Sequence, residues 1–242
     1  MKKAIIICGP TASGKTNLAH RLARKNNGEI VNADSMQLYK QLPIITASPE
    51  KKLKDELPYH LYNFQDIDKE LSATKYAGMA ADIIQKISAS DKLPIIVGGS
   101  GMYISMLANG YSKIPDIEAN IRLDARLLHK KAGVESFFAE LKKLDPKAAK
   151  ILNVSDTQRT IRAYEVIKQT GKSILDFQKE ENYKPLPDFQ LKIIFLLPER
   201  NFLYETCNQR LKTLFSLGGI DEVELAYKTF GEIQTTAMKA LG

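Results

Sequence analysis

Ile5-Ile6-Ile7-Cys8-Gly9-Pro10-Thr11-Ala12-Ser13-Gly14-Lys15-Thr16 passes from a β-branched apolar run into a glycine-rich turn and then into a helical pattern. Lys3 to Cys8 reads as a buried strand and Gly9 to Gly14 as a turn. Lys15 to about Lys25 has helical spacing through Leu18, Ala19 and Leu22. Residues 9–16 fit G-x-x-x-x-G-K-[ST], and the strand–turn–helix setting is what gives that pattern its chemistry. The glycines let backbone N–H groups converge on phosphate oxygens, and the helix N-terminus adds partial positive charge. Gly9, Pro10, Thr11, Ala12, Ser13, Gly14, Lys15 and Thr16 are therefore the expected phosphate cradle. Lys15 would neutralise the terminal phosphate, and the Thr16 hydroxyl would hold Mg²⁺.

Working outward, Gly28 stops the first helix and Glu29 to Asp34 reads as a second strand. A helix from about Thr74 to Ser88 leads to a third buried strand, Leu93 to Val97, then Gly98-Gly99-Ser100-Gly101 and another helix. Strands alternating with helices predict an α/β fold, a P-loop NTPase-like parallel sheet with helices on both faces. From about Ile117 the pattern becomes helical, with amphipathic stretches at 122–131, 134–144 and 156–169, the last capped by Asp156. A strand from Leu191 to Leu197 returns to the sheet, followed by helices at about 199–216 and 219–229 and a last one from near Glu232. The expected organisation is a P-loop core of residues 1–116 and 185–242 around an all-helical insertion, 117–184.

The 242 residues carry a net charge of +7, unevenly placed. Basic residues outnumber acidic ones fourteen to ten in 1–112 and thirteen to eight in 113–172, but trail eight to ten in 173–242. An excess over the helical segment favours polyanions, because each Lys or Arg placed at a phosphate releases condensed counterions. No run approaches the roughly 18 apolar residues of a membrane helix. The opening residues lead straight into the glycine loop without a signal-peptide cleavage site. Cys8 and Cys207 lie far apart and form no ligand pattern. A reduced cytoplasm, no membrane and a monomer are the expectations.

Which phosphate compound binds is a separate question. P-loop ATPases and GTPases usually end a buried strand in an Asp that reaches Mg²⁺. Here Leu93 to Val97 ends in glycines, and the acidic residue stands at the end of the second strand, Asp34. Carboxyl ends of neighbouring parallel strands open onto one crevice, so Asp34 should face the space beyond the phosphates. A carboxylate there suits taking a proton from a nucleophile, or else caps a turn.

Asp34-Ser35-Met36-Gln37-Leu38-Tyr39 and Gly98-Gly99-Ser100-Gly101-Met102-Tyr103 resemble motifs of the tRNA dimethylallyltransferases, also called tRNA isopentenyltransferases. Pro58 to Leu61, Asp116 to Arg122, Asp156 to Val166, Gln209-Arg210 through Gly218, and Glu222-Val223 follow in the same order and spacing. The resemblance implies transfer of a dimethylallyl group from dimethylallyl diphosphate to the exocyclic amine of the adenosine 3′ to the anticodon in tRNA. It implies that the P-loop holds the leaving diphosphate with Mg²⁺ and Arg210, and that Asp34 is the general base. Ser100 stands where most relatives carry Thr, and its hydroxyl would bond the bridging oxygen. Gln37 and Ser35 would help hold the adenine, and Asp34, Met36 and Ser100 would join them in binding the tRNA. Arg122 and the run Gln158, Arg159, Thr160, Ile161 and Arg162 would touch the anticodon stem-loop. Relatives continue well beyond the position of Gly242, so tRNA affinity would fall in a chain of this length. Two other classes stay open: a P-loop small-molecule kinase, and a catalytically impaired tRNA-binding remnant.

Overall fold

Five strands, β1 (Lys2–Cys8), β2 (Gly28–Asn32), β3 (Tyr59–His60), β4 (Leu93–Gly98) and β5 (Phe189–Phe195), form a sheet in the order β3-β2-β4-β1-β5, with every neighbouring pair parallel. The computed structural model describes residues 1–232 and 235–239. They divide into two units, Met1–Asn109 with Lys184–Gly242, and Gly110–Tyr183.

In the sheet unit, parallel pairing forces crossovers, and helices supply them. α1 (Lys15–Lys25) follows β1, α2 (Lys51–Glu56) lies between β2 and β3, and α3 (Ala73–Ala89) leads to β4. α1 sets Ala19 and Ala23 against Ile7, Ile30, Ile95 and Val97, while α3 contacts β1, β2 and β4. Ile6, Ile7, Ile30, Ile95 and Ile96 are fully buried, each contributing about 1.5–3 kcal/mol by leaving water. α4 (Gly101–Asn109) follows β4, and α9 (Arg200–Ser216) and α10 (Gly219–Phe230) follow β5.

The sheet differs from expectation at one edge. Ile193 and Phe195 of β5, and Leu197 just after it, are more than half exposed, so helical cover stops short there. β3 and α2 were not anticipated. β3 has only two residues, too few to show a period, and α2 buries none. The helix expected from near Glu232 is not seen as such. α10 ends at Phe230, capped by Gly231 (φ 69), and the tail contains a 3-10 turn, Thr236–Lys239. Residues 233–234 and 240–242, which that expectation also covered, lie outside the described residues.

The second unit is helical: α5 (Ala119–Leu144), α6 (Pro146–Ala149), α7 (Thr157–Thr170) and α8 (Ile174–Lys179). Gly133 (φ 79, ψ 169) breaks α5 between the two stretches expected at 122–131 and 134–144. Ala125, Phe137, Leu141, Ala148 and Ala163 form its core. Asp156 accepts from the Arg159 N–H and caps α7, a bond of about 1 kcal/mol. The unit begins at Gly110, not at the expected residue 117. Tyr111 and Tyr183 exchange backbone hydrogen bonds of 3.0 and 2.9 Å, and their rings meet edge to face at 5.5 Å, closing its two ends together.

Candidate active site

β1 runs into residues 9–14, β2 into Asn32-Ala33-Asp34, and β4 into Gly98-Gly99-Ser100. The backbones converge so closely that a Cβ on Gly98 would fall on the Ala33 carbonyl. Gly14, at φ 84, starts α1 without a side-chain cap, which leaves the first N–H groups of the helix for a ligand. Lys15 Nζ donates to the carbonyls of Gly9 (3.0 Å) and Pro10 (2.7 Å), holding the loop around its own ammonium.

A cavity of about 350 Å³ opens at these strand ends, lined by residues 11–16, by Asp34 and Gln37, and by Ala47, Thr206 and Arg210. The structure thus brings together Asp34, Gln37, Arg210 and most of the P-loop, from Thr11 to Arg210 in sequence. Ala47, Thr206 and Arg210 also border a mostly apolar groove of about 770 Å³, with Ile44, Pro49, Leu214 and Leu217.

Asp34 is held by its neighbours. Asn32, fully buried, accepts from the Asp34 N–H (2.8 Å) and donates to the Asp34 carbonyl (3.0 Å) and to the Leu61 carbonyl (2.9 Å). The Tyr76 hydroxyl donates to the Asn32 carbonyl (2.8 Å). One carboxylate oxygen of Asp34 accepts from the Met36 N–H (3.0 Å). Sequence reading missed Asn32, although a buried amide at the end of Ile30-Val31 was a signal: such a group needs partners.

Ser35, Met36 and Ser100 sit beside the cavity instead of lining it. The Ser100 hydroxyl accepts from the Ser35 N–H (2.8 Å) and donates to the Ser35 hydroxyl (3.0 Å). Its single proton is therefore committed, and donation to a diphosphate oxygen would require exchanging that bond. Gln37 spends both amide protons on the carbonyls of Thr46 (3.1 Å) and Ala47 (2.9 Å). Only its oxygen is left for a ligand. Arg210 also donates to the Thr46 carbonyl (3.2 Å).

The electrostatics favour an anion. Burial lowers Lys15 from the usual lysine value; nearby Asp34 pulls it back up and Arg210 lowers it further. Burial likewise lowers Arg210, against the pull of Cys207 and Asp34. Two partly desolvated cations beside each other gain most from a polyvalent anion. Tyr103 is pushed up to about 12 by burial, Tyr39 and Asp34, and burial raises Tyr62 and Tyr76 further. Those phenols stay protonated, and among the described residues Asp34 is the acidic side chain that lines the cavity.

In the helical unit the expected run divides by helical period. Gln158 and Arg159 are exposed, and Arg159 pairs with Asp156 at 3.2 Å. Thr160 is buried and Ile161 packs on the core, so their side chains are turned inward and not toward a partner as expected. Arg162 pairs with the buried Glu165 at 3.3 Å. Arg122 is half-buried, with its Nε enclosed and, among the described residues, without a hydrogen-bond partner.

Residues 37–242 match the family model for IPP transferase. The tRNA dimethylallyltransferase of Rickettsia massiliae is 52% identical over 241 residues, matching 100% of this chain and 66% of that protein. Its counterpart in Rickettsia bellii is 53% identical over 229 residues, matching 95% of this chain and 73% of its own length. The chain thus spans about two thirds of the length of the curated relatives it matches. A eukaryotic dimethylallyltransferase crystallised while acting on tRNA superposes with a TM-score of 0.81 at 27% identity, covering 97% of this chain and 58% of that one. The full-length tRNA isopentenylpyrophosphate transferase of Bacillus halodurans gives 0.65 at 29% identity, covering 99% and 76%. Sequence identity along the whole chain and a shared P-loop fold agree: the chain belongs to the tRNA dimethylallyltransferase family.

Proposed function

We propose that this chain transfers a dimethylallyl group from dimethylallyl diphosphate to the exocyclic amine of the adenosine 3′ to the anticodon in tRNA. The observation that carries the reading is one cavity shared by the P-loop, Arg210 and Asp34. The phosphate cradle and a carboxylate at the end of a different strand thereby face the same reacting volume. The names of the Rickettsia relatives support the substrates.

The α1 N–H groups, Lys15 and Arg210 would take the charge that grows on the diphosphate as the allylic carbon–oxygen bond breaks. The adenine nitrogen forms the new bond to that carbon, and Asp34 accepts the proton the amine gives up. An aromatic amine is a weak nucleophile, so removing its proton as the bond forms matters. Among the described residues no group of three or more His, Cys, Asp or Glu is placed to hold a metal. Thr16, at the cavity, offers a hard oxygen donor that suits Mg²⁺. Bound there, Mg²⁺ would add positive charge beside the leaving group.

The base must leave its stack to reach the cavity. Gln158 and Arg159, exposed on α7, are the residues of the helical unit offered to the RNA, with Arg122 and Arg162 as further cations. We read the protein as a cytoplasmic monomer. Among the described residues no helix is long and apolar enough to cross a membrane.

The test is transfer of label from radiolabelled dimethylallyl diphosphate to unmodified tRNA in the presence of Mg²⁺. Label in the tRNA supports the reading. A folded protein that binds the diphosphate yet moves label to no RNA, or that transfers phosphate from ATP to a small molecule, overturns it.

A further inference from the structure

Glu222 belongs to a sequence motif that the reaction described above does not use, and its carboxylate is engaged far from its own helix. From the first turn of α10, one oxygen accepts from the Ile44 N–H at 2.8 Å. The other accepts from Ile44 at 3.1 Å and from the Ile45 N–H at 2.8 Å. The two amides belong to a tight loop. Within it the Ala47 N–H donates to the Ile44 carbonyl (2.8 Å), the Ser48 N–H to the Pro43 carbonyl (2.9 Å), and the Thr46 hydroxyl to the Leu42 carbonyl (2.6 Å).

The carbonyls of the same loop are bound by site residues. Gln37 donates to Thr46 and Ala47, and Arg210 donates to Thr46. The loop is thus held on its N–H side by Glu222 and on its C=O side by Arg210 and Gln37. Ala47, at φ 46, adopts a backbone conformation that a side-chain-bearing residue rarely takes unless its surroundings impose it. Ala47 also lines both the phosphate cavity and the apolar groove, so a shift of the loop moves a shared wall.

We propose that Glu222 is a positioning residue for the diphosphate site: by fastening the amides of Ile44 and Ile45, it fixes the loop whose Thr46 carbonyl aims Arg210 at the cavity. A charged acceptor suits this work, because hydrogen bonds to an ionised carboxylate are shorter and roughly twice as strong as neutral ones. Loss of Glu222 leaves the loop backbone free to turn and Arg210 without a fixed partner. This inference rests on the reading of Arg210 as a diphosphate ligand.

Binding of inorganic diphosphate with Mg²⁺, measured by calorimetry on the full chain, needs no transfer activity and separates the two claims. Arg210→Ala weakens binding if Arg210 is a ligand. Glu222→Ala then weakens it roughly tenfold, and Arg210→Ala/Glu222→Ala is no weaker than Arg210→Ala alone, since coupled residues do not add. Glu222→Gln, which keeps one acceptor oxygen and the side-chain volume, falls between wild type and Glu222→Ala and guards against a folding failure. Wild-type affinity in both Glu222 variants, or full additivity with Arg210→Ala, overturns the role of Glu222 and leaves the site reading intact. Unchanged affinity in Arg210→Ala overturns both.

Discussion

The cavity has two walls built in opposite ways. The β1, β2 and β4 side is assembled from neighbours in sequence: an eight-residue loop, the helix it starts, and Asp34 two residues past a strand end. The other side is the loop 44–47, held by Gln37 from nearby in sequence and by Arg210 and Glu222 through bonds that span 164 to 178 positions. The first wall binds through backbone groups whose geometry is set by local turns. The second depends on side chains that reach across the fold to hold a loop. A change in the first wall should remove a ligand contact directly, whereas a change in the second should act through misalignment and be smaller.

The largest effect on binding is expected in the first wall. Lys15→Ala removes an ammonium from the cradle and its two bonds to the Gly9 and Pro10 carbonyls. It should weaken diphosphate binding about 100-fold, as loss of a preorganised charged donor does. Near-normal affinity by calorimetry would mean that the loop amides alone carry the site. In the second wall, Gln37→Ala frees the Thr46 and Ala47 carbonyls. A fall of roughly tenfold in diphosphate affinity is expected, the scale of one or two buried hydrogen bonds. A loss equal to that of Lys15→Ala would erase the distinction between the walls.

Smaller effects are expected away from the cavity. Arg159 is 77% exposed, and its ion pair with Asp156 contributes little. Arg159→Ala should lower the salt slope of tRNA binding by about one unit, the signature of one phosphate contact. An unchanged slope would remove α7 from the RNA surface. Glu29, in β2, binds Lys92 at 2.6 Å and His60 at 2.7 Å. Burial alone would raise its carboxyl, but the Lys92 and His60 bonds outweigh that and hold it below the usual glutamate value. Its contribution is therefore complete above the unfolded value of about 4.3 and is lost as pH falls through the lower folded one. Glu29→Gln should lower Tm at pH 7 and flatten its decline below about pH 5. An acid profile parallel to wild type would show that the Lys92–Glu29–His60 link is not what titrates.

The same division explains what could be read in advance. The P-loop, the parallel sheet and Asp34 at a strand end were legible because each is written in consecutive residues. Asp156 was legible as a cap for the same reason. Asn32 was visible in principle as an amide among apolar strand residues, yet its three partners were not. Glu222 stood out as part of a motif, but nothing near it in sequence names Ile44 and Ile45 as its partners. Thr160 and Ile161 show the converse: a contiguous motif on a helix does not all face one way, and the 3.6-residue period turns those two side chains inward. The exposed apolar residues of β5 were equally out of reach, since a strand's own pattern does not reveal whether a helix covers it.

The central claim is that holding the diphosphate and activating the amine belong to different residues in one cavity. Asp34→Asn tests it most directly, with diphosphate affinity and transfer of the dimethylallyl label to tRNA measured on the same preparation. The account predicts affinity within about threefold of wild type and transfer reduced by about two to four orders of magnitude, the range of a lost general base. Transfer at the normal rate, or loss of diphosphate binding together with transfer, would contradict it.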